Sequence, residues 1–172
     1  MIVPVSAIIP TRNRAAILAR FLDSLAGQAV LPAELVICDG SDDDLTQDLV
    51  RAQRSRFGDK VLWVYVKAAR IGLAPQRNEA VAAASQPYVW FLDDDIILEP
   101  GCLENLFETI RQNPAVGGVT ATLINEPYRT PGRWTRLLMK WFEHGRVRES
   151  YASACVGPGW AFIVIGRISI AS

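Results

Sequence analysis

The sequence is poor in several features whose scarcity restricts what the protein can be. Its three cysteines, Cys38, Cys102 and Cys155, are widely and irregularly spaced, which fits neither a disulfide framework nor a zinc site. No run of about 18 apolar residues exists to span a bilayer. Eighteen basic residues balance eighteen acidic ones, which gives no reason to expect a nucleic-acid partner. We therefore expect a protein of the reducing cytoplasm.

Two further sequence signals are missing, that of a secretory signal peptide and that of a dinucleotide-binding loop. The opening residues, MIVPVSAIIP, lack the basic segment and small-residue cleavage site of a signal peptide, and we interpret them as a first strand. No G-x-G-x-x-G follows a predicted strand, which argues against a dinucleotide-dependent oxidoreductase. Half of the 172 residues are hydrophobic, so the chain can bury a sizeable core as a single domain.

Strand-like and helix-like segments alternate along most of the chain. Short apolar runs predict buried strands at 3–9, 34–38, 61–66, 88–92 and 116–123. Helical spacing predicts helices at 15–27, 45–57, 75–84 and 100–112, with Pro75 at the first position of its helix. Such alternation favours an α/β fold with a mostly parallel sheet.

Polar clusters follow three of these strands, namely Thr11-Arg12, Asp39 and Asp93 to Asp95. The carboxyl ends of parallel strands lie at one edge of a sheet, so these clusters can converge on one crevice. Neighbouring carboxylates repel unless they are solvated or bind a cation, and oxygen ligands favour Mg²⁺ or Mn²⁺. If the acidic triplet stood alone, a solvated turn would be the simpler interpretation. The convergence of three polar clusters on one crevice favours a metal site instead.

The alternation ends after Leu123. The segment from Trp134 to His144 has helical spacing, with Arg136 and Lys140 beside its apolar face. A helix of this kind packs on the sheet or, as an alternative, makes peripheral contact with a membrane through Trp134 to Phe142. Residues 156–170 are apolar and include one further candidate strand.

Four sequence runs resemble the family 2 glycosyltransferases of the GT-A fold. They are VSAIIPTRNR, ELVICDGSDDD, ARIGLAPQRNEAV and YVWFLDDDIILEPGCL, and the resemblance covers residues 3–123. It implies a Rossmann-like, three-layer α/β sandwich around a mostly parallel sheet. It also implies metal-dependent transfer of a sugar, with inversion, from a nucleotide diphosphate donor (UDP-based) to a saccharide or lipid-linked acceptor. The chain would then act in polysaccharide or glycoconjugate biosynthesis, in the cytoplasm or at the inner face of the membrane.

The resemblance assigns the nucleotide pocket to residues that follow the first three strands. Pro10, Thr11 and Arg12 would line it. Asp39 would accept a hydrogen bond from the uracil ring, although Cys38 stands where the family usually has a second acid. Arg77, in the pattern G-x-x-x-x-R-N, would lie near the diphosphate.

The acidic triplet matches the D-x-D motif of the family. Asp95 would bind the metal, with Asp93 as a second ligand. Asp93 or Asp94 would face the ribose.

A catalytic base is not found. Inverting members of the family place it in a Glu-Asp pair, and no such pair follows Asp95. The sequence therefore predicts a nucleotide-sugar-binding part, 1–123, and a shortened acceptor-side part, 124–172, with Glu143 and Glu149 the later acids to consider. A non-catalytic nucleotide-sugar-binding module is the main alternative. A sugar nucleotidyltransferase is a second alternative. It should carry a glycine-rich loop after its first strand, and residues 10–14 contain no glycine.

Overall fold

A computed structural model of the chain describes residues 1–121 and 164–167. The described strands are β1 (Ile2–Thr11), β2 (Leu31–Asp39), β3 (Leu62–Lys67), β4 (Tyr88–Phe91), β5 (Gly118–Thr120) and β6 (Val164–Arg167). The described helices are α1 (Ala15–Ala26), α2 (Leu45–Gln53), α3 (Leu73–Ala83) and α4 (Cys102–Gln112), and a 3₁₀ turn, Arg54–Phe57, extends α2.

The strands form one sheet in the order β3-β2-β1-β4-β6-β5. The first four strands run parallel, and β6 runs antiparallel between β4 and β5. The predicted α/β fold with a mostly parallel sheet is therefore confirmed. The strand predicted within 156–170 is found as β6, and its position between β4 and β5 separates two strands that are close in sequence.

Helices cover both faces of the sheet, which gives the predicted three layers. Alternate side chains of β1 point to opposite faces: Val5, Ala7 and Ile9 join α1 and α4 in the larger core, while Ile8 lies in the smaller core with Ala80 of α3. Because both faces are buried, the strands are continuous apolar runs rather than alternating ones.

The start of α3 differs from the prediction. The helix begins at Leu73 rather than at Pro75, and Gly72 precedes it with φ +133°. A side chain at that φ is strained, so glycine suits the position. Pro75 is the third helical residue, where a missing N–H still costs nothing because the first turn has no intrahelical acceptor.

The predicted strand 116–123 is shorter in the structure, because β5 covers only Gly118–Thr120 and residues 116–117 precede it without strand pairing. Residues 122–123 and the predicted helix from Trp134 to His144 lie outside the described residues. Among the residues that are described, no helix is long and apolar enough to cross a bilayer.

Candidate functional site

An open crevice of about 470 Å³ lies at the carboxyl edge of the parallel strands. Residues from the ends of β1 and β4 and from the start of α3 line it: Pro10, Thr11, Arg12, Arg14, Ile71, Gly72, Leu73, Gln76, Asp93, Asp94 and Asp95. This is where open α/β sheets bind their ligands.

The pairing of β1 with β4 brings Thr11 and Asp94 together. Ile8 is opposite Phe91, so each of these residues lies three positions beyond that pair. The Thr11 hydroxyl donates a hydrogen bond of 2.7 Å to Oδ2 of Asp94, and both side chains are buried. Asp94 is thus fixed to the end of β1 rather than presented to solvent.

Two arginines neutralise part of the acidic triplet. Arg77 of α3 donates to Oδ1 of Asp93 at 2.7 Å, with both side chains largely buried. Arg14, just before α1, places Nη1 at 3.3 Å from Oδ1 of Asp94 and at 3.3 Å from Oδ2 of Asp95. The side chain of Asp95 is 55% exposed, which makes it the most accessible acid of the triplet.

Burial raises the pKa of Asp93, the favourable charge of Arg77 opposes this shift, and the neighbouring Asp95 and Asp94 add to it. A protonated Asp93 would carry no net charge to attract a cation, so the charge of Arg77 favours the carboxylate form that a cation site needs. Arg77 also has a buried Nε without an acceptor among the described residues. Its guanidinium therefore has donor capacity that the protein leaves unused there.

The turn after β1 is held against the loop after β2. Asn13 adopts φ +53°, and its backbone N–H donates to Oγ of Ser41 at 2.7 Å. Its side chain exchanges two hydrogen bonds of 2.9 Å with Asp42. Arg12 lies on the exposed side of this turn, 3.6 Å from Asp42. The contacts fix the backbone on which Arg12 and Arg14 stand.

Asp39 ends β2 but is fully buried and does not line the crevice. The Ser41 N–H donates to its Oδ1 at 2.8 Å, and the Tyr65 hydroxyl donates to its Oδ2 at 2.7 Å. Lys67 lies 3.8 Å from the same oxygen. A nucleobase donor would have to share or displace one of these partners.

Gln76 is a site residue that the sequence did not reveal. Its buried amide nitrogen donates at 2.9 Å to the carbonyls of Thr11 and Cys38, and its oxygen accepts from the Gly72 N–H. It therefore joins the ends of β1 and β2 to the start of α3. A Cβ on Gly40 would come within 3.2 Å of this amide, so glycine at 40 permits the close approach.

Of the predicted site residues, six line the crevice together: Pro10, Thr11, Arg12, Asp93, Asp94 and Asp95. Arg77 contacts one of these acids, Asp93, whereas Asp39 is buried and does not line the crevice. Arg14 was not among the predicted residues, because its one signal was its place in a polar turn. Glu143, Glu149 and the predicted membrane contact through Trp134 to Phe142 lie outside the described residues.

The acidic triplet offers a divalent ion an accessible carboxylate rather than a complete set of protein ligands. Among residues 1–121 and 164–167, no group of three or more metal-ligating side chains surrounds one point. Mg²⁺ is, however, commonly held by one or two carboxylates and completed by substrate phosphates. The exposed Asp95 can supply such a ligand, whereas Asp93 is engaged by Arg77.

This architecture, a mostly parallel sheet with an acid-lined crevice at its carboxyl edge, is that of the GT-A glycosyltransferases. A mannosyltransferase from Pyrobaculum calidifontis, in complex with GDP-Man and Mn²⁺, superposes with TM-score 0.60 and 25% identity, over 70% of this chain and 35% of that one. TarS of S. aureus superposes with TM-score 0.57 and 22% identity, over 74% of this chain and 38% of that one.

The sequence profile of Glycosyl transferase family 2 matches residues 6–164, and the chain belongs to this family. A validoxylamine A glucosyltransferase of Streptomyces hygroscopicus subsp. jinggangensis is 34% identical over 103 residues, which are 59% of this chain and 24% of the relative. The GalNAc(5)-diNAcBac-PP-undecaprenol β-1,3-glucosyltransferase of Campylobacter jejuni is 27% identical over 64% of this chain and 35% of its own length. The alignments thus span about a quarter and a third of these relatives.

Proposed function

We propose that the chain binds a nucleotide diphosphate sugar, UDP-based, and transfers its sugar to an acceptor hydroxyl with inversion, using Mg²⁺ or Mn²⁺. One observation carries this proposal. Three carboxylates, a buried threonine and two arginines from separate elements meet at one crevice on the carboxyl edge of the sheet. Family membership makes glycosyl transfer the reaction to test first.

The charges of the crevice suit a diphosphate leaving group. Sugar transfer leaves negative charge on the diphosphate, and preorganised positive groups stabilise that charge as it develops. Arg77 stays protonated at any physiological pH, and its ion pair with Asp93 holds that positive charge beside the acids of the crevice. When bound, the divalent ion supplies Lewis-acid stabilisation of the phosphates; Asp95 would hold it, with Asp93 as the second candidate ligand.

The rigid surroundings of these groups support the same proposal. Thr11 fixes Asp94, and Gln76 ties the ends of β1 and β2 to α3. A preorganised site spends less binding free energy on ordering its own side chains when the donor arrives. Pro10 and Arg12 stand on the same constrained turn and would contact the nucleotide from the β1 side.

The choice of base would depend on Asp39. Its carboxylate already accepts hydrogen bonds from Ser41 and Tyr65, and the ring N–H of uracil could replace the Tyr65 hydroxyl as a donor. Cytosine has no proton at that nitrogen, so it would displace the Tyr65 hydroxyl without replacing its hydrogen bond to Asp39, and a site of this kind discriminates against such a base. The Pyrobaculum neighbour holds GDP-Man instead, so guanosine nucleotides belong in the test.

The acceptor is proposed to be a saccharide or a lipid-linked saccharide. The name of the Campylobacter relative includes PP-undecaprenol, which motivates lipid-linked acceptors in an activity assay. Inversion requires a base that takes the acceptor proton, and a positioned base contributes about 10²–10⁴-fold. Glu143 and Glu149 are the acids to substitute first in that assay.

Calorimetric titration with UDP, CDP and GDP, each with and without Mn²⁺, tests the donor proposal. We expect UDP to bind best and only with the metal, and Asp39→Asn to remove most of its advantage over CDP. Equal binding of UDP and CDP by the unmodified protein would contradict the role of Asp39. Absence of binding by all three nucleotides would overturn the donor site itself.

A further inference from the structure

Arg14 occupies the position between two acids of the triplet. A single guanidinium nitrogen, Nη1, lies 3.3 Å from Oδ1 of Asp94 and 3.3 Å from Oδ2 of Asp95. One positive charge is thus shared by two carboxylates, and it lies beside Asp95, the accessible acid that would hold a metal ion. The arginine side chain is 51% exposed and reaches the acids from the side of α1.

A divalent ion on Asp95 would meet this guanidinium at close range. Two positive groups that approach the same carboxylate repel each other, and the repulsion is stronger for a doubly charged ion than for a single charge. Asp94 has little freedom to relieve the conflict, because Thr11 holds its other oxygen. The side chain of Arg14 must therefore move away before a metal ion binds Asp95 well.

The surroundings of Arg14 permit this movement. Its backbone carbonyl is fixed, since the N–H groups of Ile17 and Leu18 both donate to it at 2.9 Å. Its side chain makes no capping hydrogen bond to the helix. The residue also lines the crevice proposed to receive the diphosphate. A phosphate arriving there offers the guanidinium a bidentate partner that matches its fork of donors.

We propose that Arg14 is an internal counter-ion that keeps free divalent metal off Asp95 until a nucleotide diphosphate is present. The diphosphate then accepts the guanidinium, and Asp95 becomes available to the metal that arrives with the nucleotide. This inference rests on the proposed donor site. It makes metal binding conditional on the nucleotide, and it assigns Arg14 a second role as a diphosphate-binding residue.

Replacing Arg14 should consequently change two affinities in opposite directions. In Arg14→Gln, Mn²⁺ alone should bind about tenfold tighter, because the competing charge is gone. UDP in the presence of saturating Mn²⁺ should bind about tenfold weaker, because one phosphate contact is lost. A purely structural defect would weaken both. Arg14→Lys keeps the charge and should remain within about threefold of the unmodified protein for Mn²⁺ alone.

The measurements are calorimetry and the electron paramagnetic resonance signal of free Mn²⁺, first with MnCl₂ alone and then with UDP. Arg20→Gln is the matched control, since Arg20 is an exposed arginine on α1 that does not line the crevice, and it should change neither affinity. Thermal melting confirms that each variant is folded.

Unchanged or weaker binding of Mn²⁺ alone by Arg14→Gln would overturn the inference. So would an increase of the same size in Arg20→Gln, which would show a general effect of charge. Failure of the unmodified protein to bind any nucleoside diphosphate would instead contradict the proposed function. The nucleotide-free titrations would then still decide whether Arg14 competes with the ion.

Discussion

Acidic side chains lie toward both edges of the sheet, and the protein surrounds them differently. Toward the amino ends of the strands, Glu34 of β2 accepts hydrogen bonds from the hydroxyls of Ser6 and Ser85 and from the Ser85 N–H. Its exposed fraction is 1%. At the carboxyl edge, Asp95 is more than half exposed, and its ion pair is with a half-exposed arginine.

The difference distinguishes a structural acid from one available to a ligand. Three protein donors share the two oxygens of Glu34, so a further partner would have to displace one of them. The partner of Asp95 is a flexible cation that a ligand can replace. Accessibility and replaceable partners, rather than acidity or burial alone, therefore point to the carboxyl edge as the functional one.

Removing the structural acid should give the largest loss of stability. Glu34→Ala leaves the buried Ser6 hydroxyl without its acceptor, at about 1–3 kcal/mol, and it leaves the two donors of the exposed Ser85 to water. With the loss of a buried side chain added, we expect the free energy of unfolding to fall by about 2–4 kcal/mol in urea denaturation. Glu34→Gln, which keeps one acceptor oxygen, should lose less. A loss below about 1 kcal/mol for Glu34→Ala would remove the basis of the comparison.

Removing the accessible acid should instead affect ligand binding. Asp95→Ala is expected to weaken UDP binding in the presence of Mn²⁺ by roughly 100-fold, because the metal loses its accessible protein ligand. The free energy of unfolding should change by less than about 0.5 kcal/mol. Glu99→Ala removes an exposed acid that does not line the crevice and serves as the control. Metal-dependent affinity unchanged in Asp95→Ala would show that another residue holds the ion.

Thr11→Val tests whether Asp94 behaves like Glu34 or like Asp95. The substitution preserves shape but leaves Oδ2 of the buried Asp94 without its 2.7 Å donor. We expect a stability loss of about 1–3 kcal/mol, together with weaker metal-dependent nucleotide binding. Thr11→Ser should recover both. A variant as stable as the unmodified protein would place Asp94 with the acids available to ligands.

The smallest effect on stability is expected from the ionisation of the Cys38 thiol, directly before Asp39. Burial, followed by the charges of Glu79 and Asp39, raises the pKa of this thiol from 9.0 to about 11. Between these values an unfolded chain ionises the thiol while the folded protein keeps it protonated, so its contribution to stability falls as the pH rises through this range. At mildly alkaline pH, iodoacetamide should label Cys38 much more slowly in folded protein than in urea.

Peptide mass spectrometry would measure that labelling for Cys38 separately from the other cysteines. Rapid labelling in the folded protein would mean that the crevice extends from β1 and β4 to the end of β2. Asp39 would then be reachable without displacing Tyr65, and the carboxyl edge would be open along a greater length.

The sequence predicts the part of the fold that depends on local pattern. Continuous apolar runs fixed the parallel strands because both of their faces are covered, and strand ends followed by acids indicated the edge where the crevice lies. The convergence of Thr11 with Asp93 to Asp95 followed from topology alone, since β1 and β4 are neighbours.

What the sequence could not predict depends on contacts between distant residues. Arg14 is one of three charged or amide residues in a turn, and only the direction of its side chain separates it from Arg12. Gln76 looks like a solvent-facing helical residue until the carbonyls of Thr11 and Cys38 are placed beside it. The buried Asp39 carboxylate depends on the hydroxyl of Tyr65 from the next strand. In the sequence, Tyr65 belongs to an apolar run, and nothing there indicates this hydrogen bond.

The position of β6 near the end of the sequence has a consequence for how the chain folds. β4 pairs with β1 on one side and with β6 on the other, but β6 comes far later in the sequence. During synthesis, the strand that leads into the acids is therefore an unprotected sheet edge, and edges of this kind pair readily with other chains. Shortening the chain before residue 164 would remove the β6 partner of β4, and we expect such a chain to aggregate more readily even with every crevice residue present.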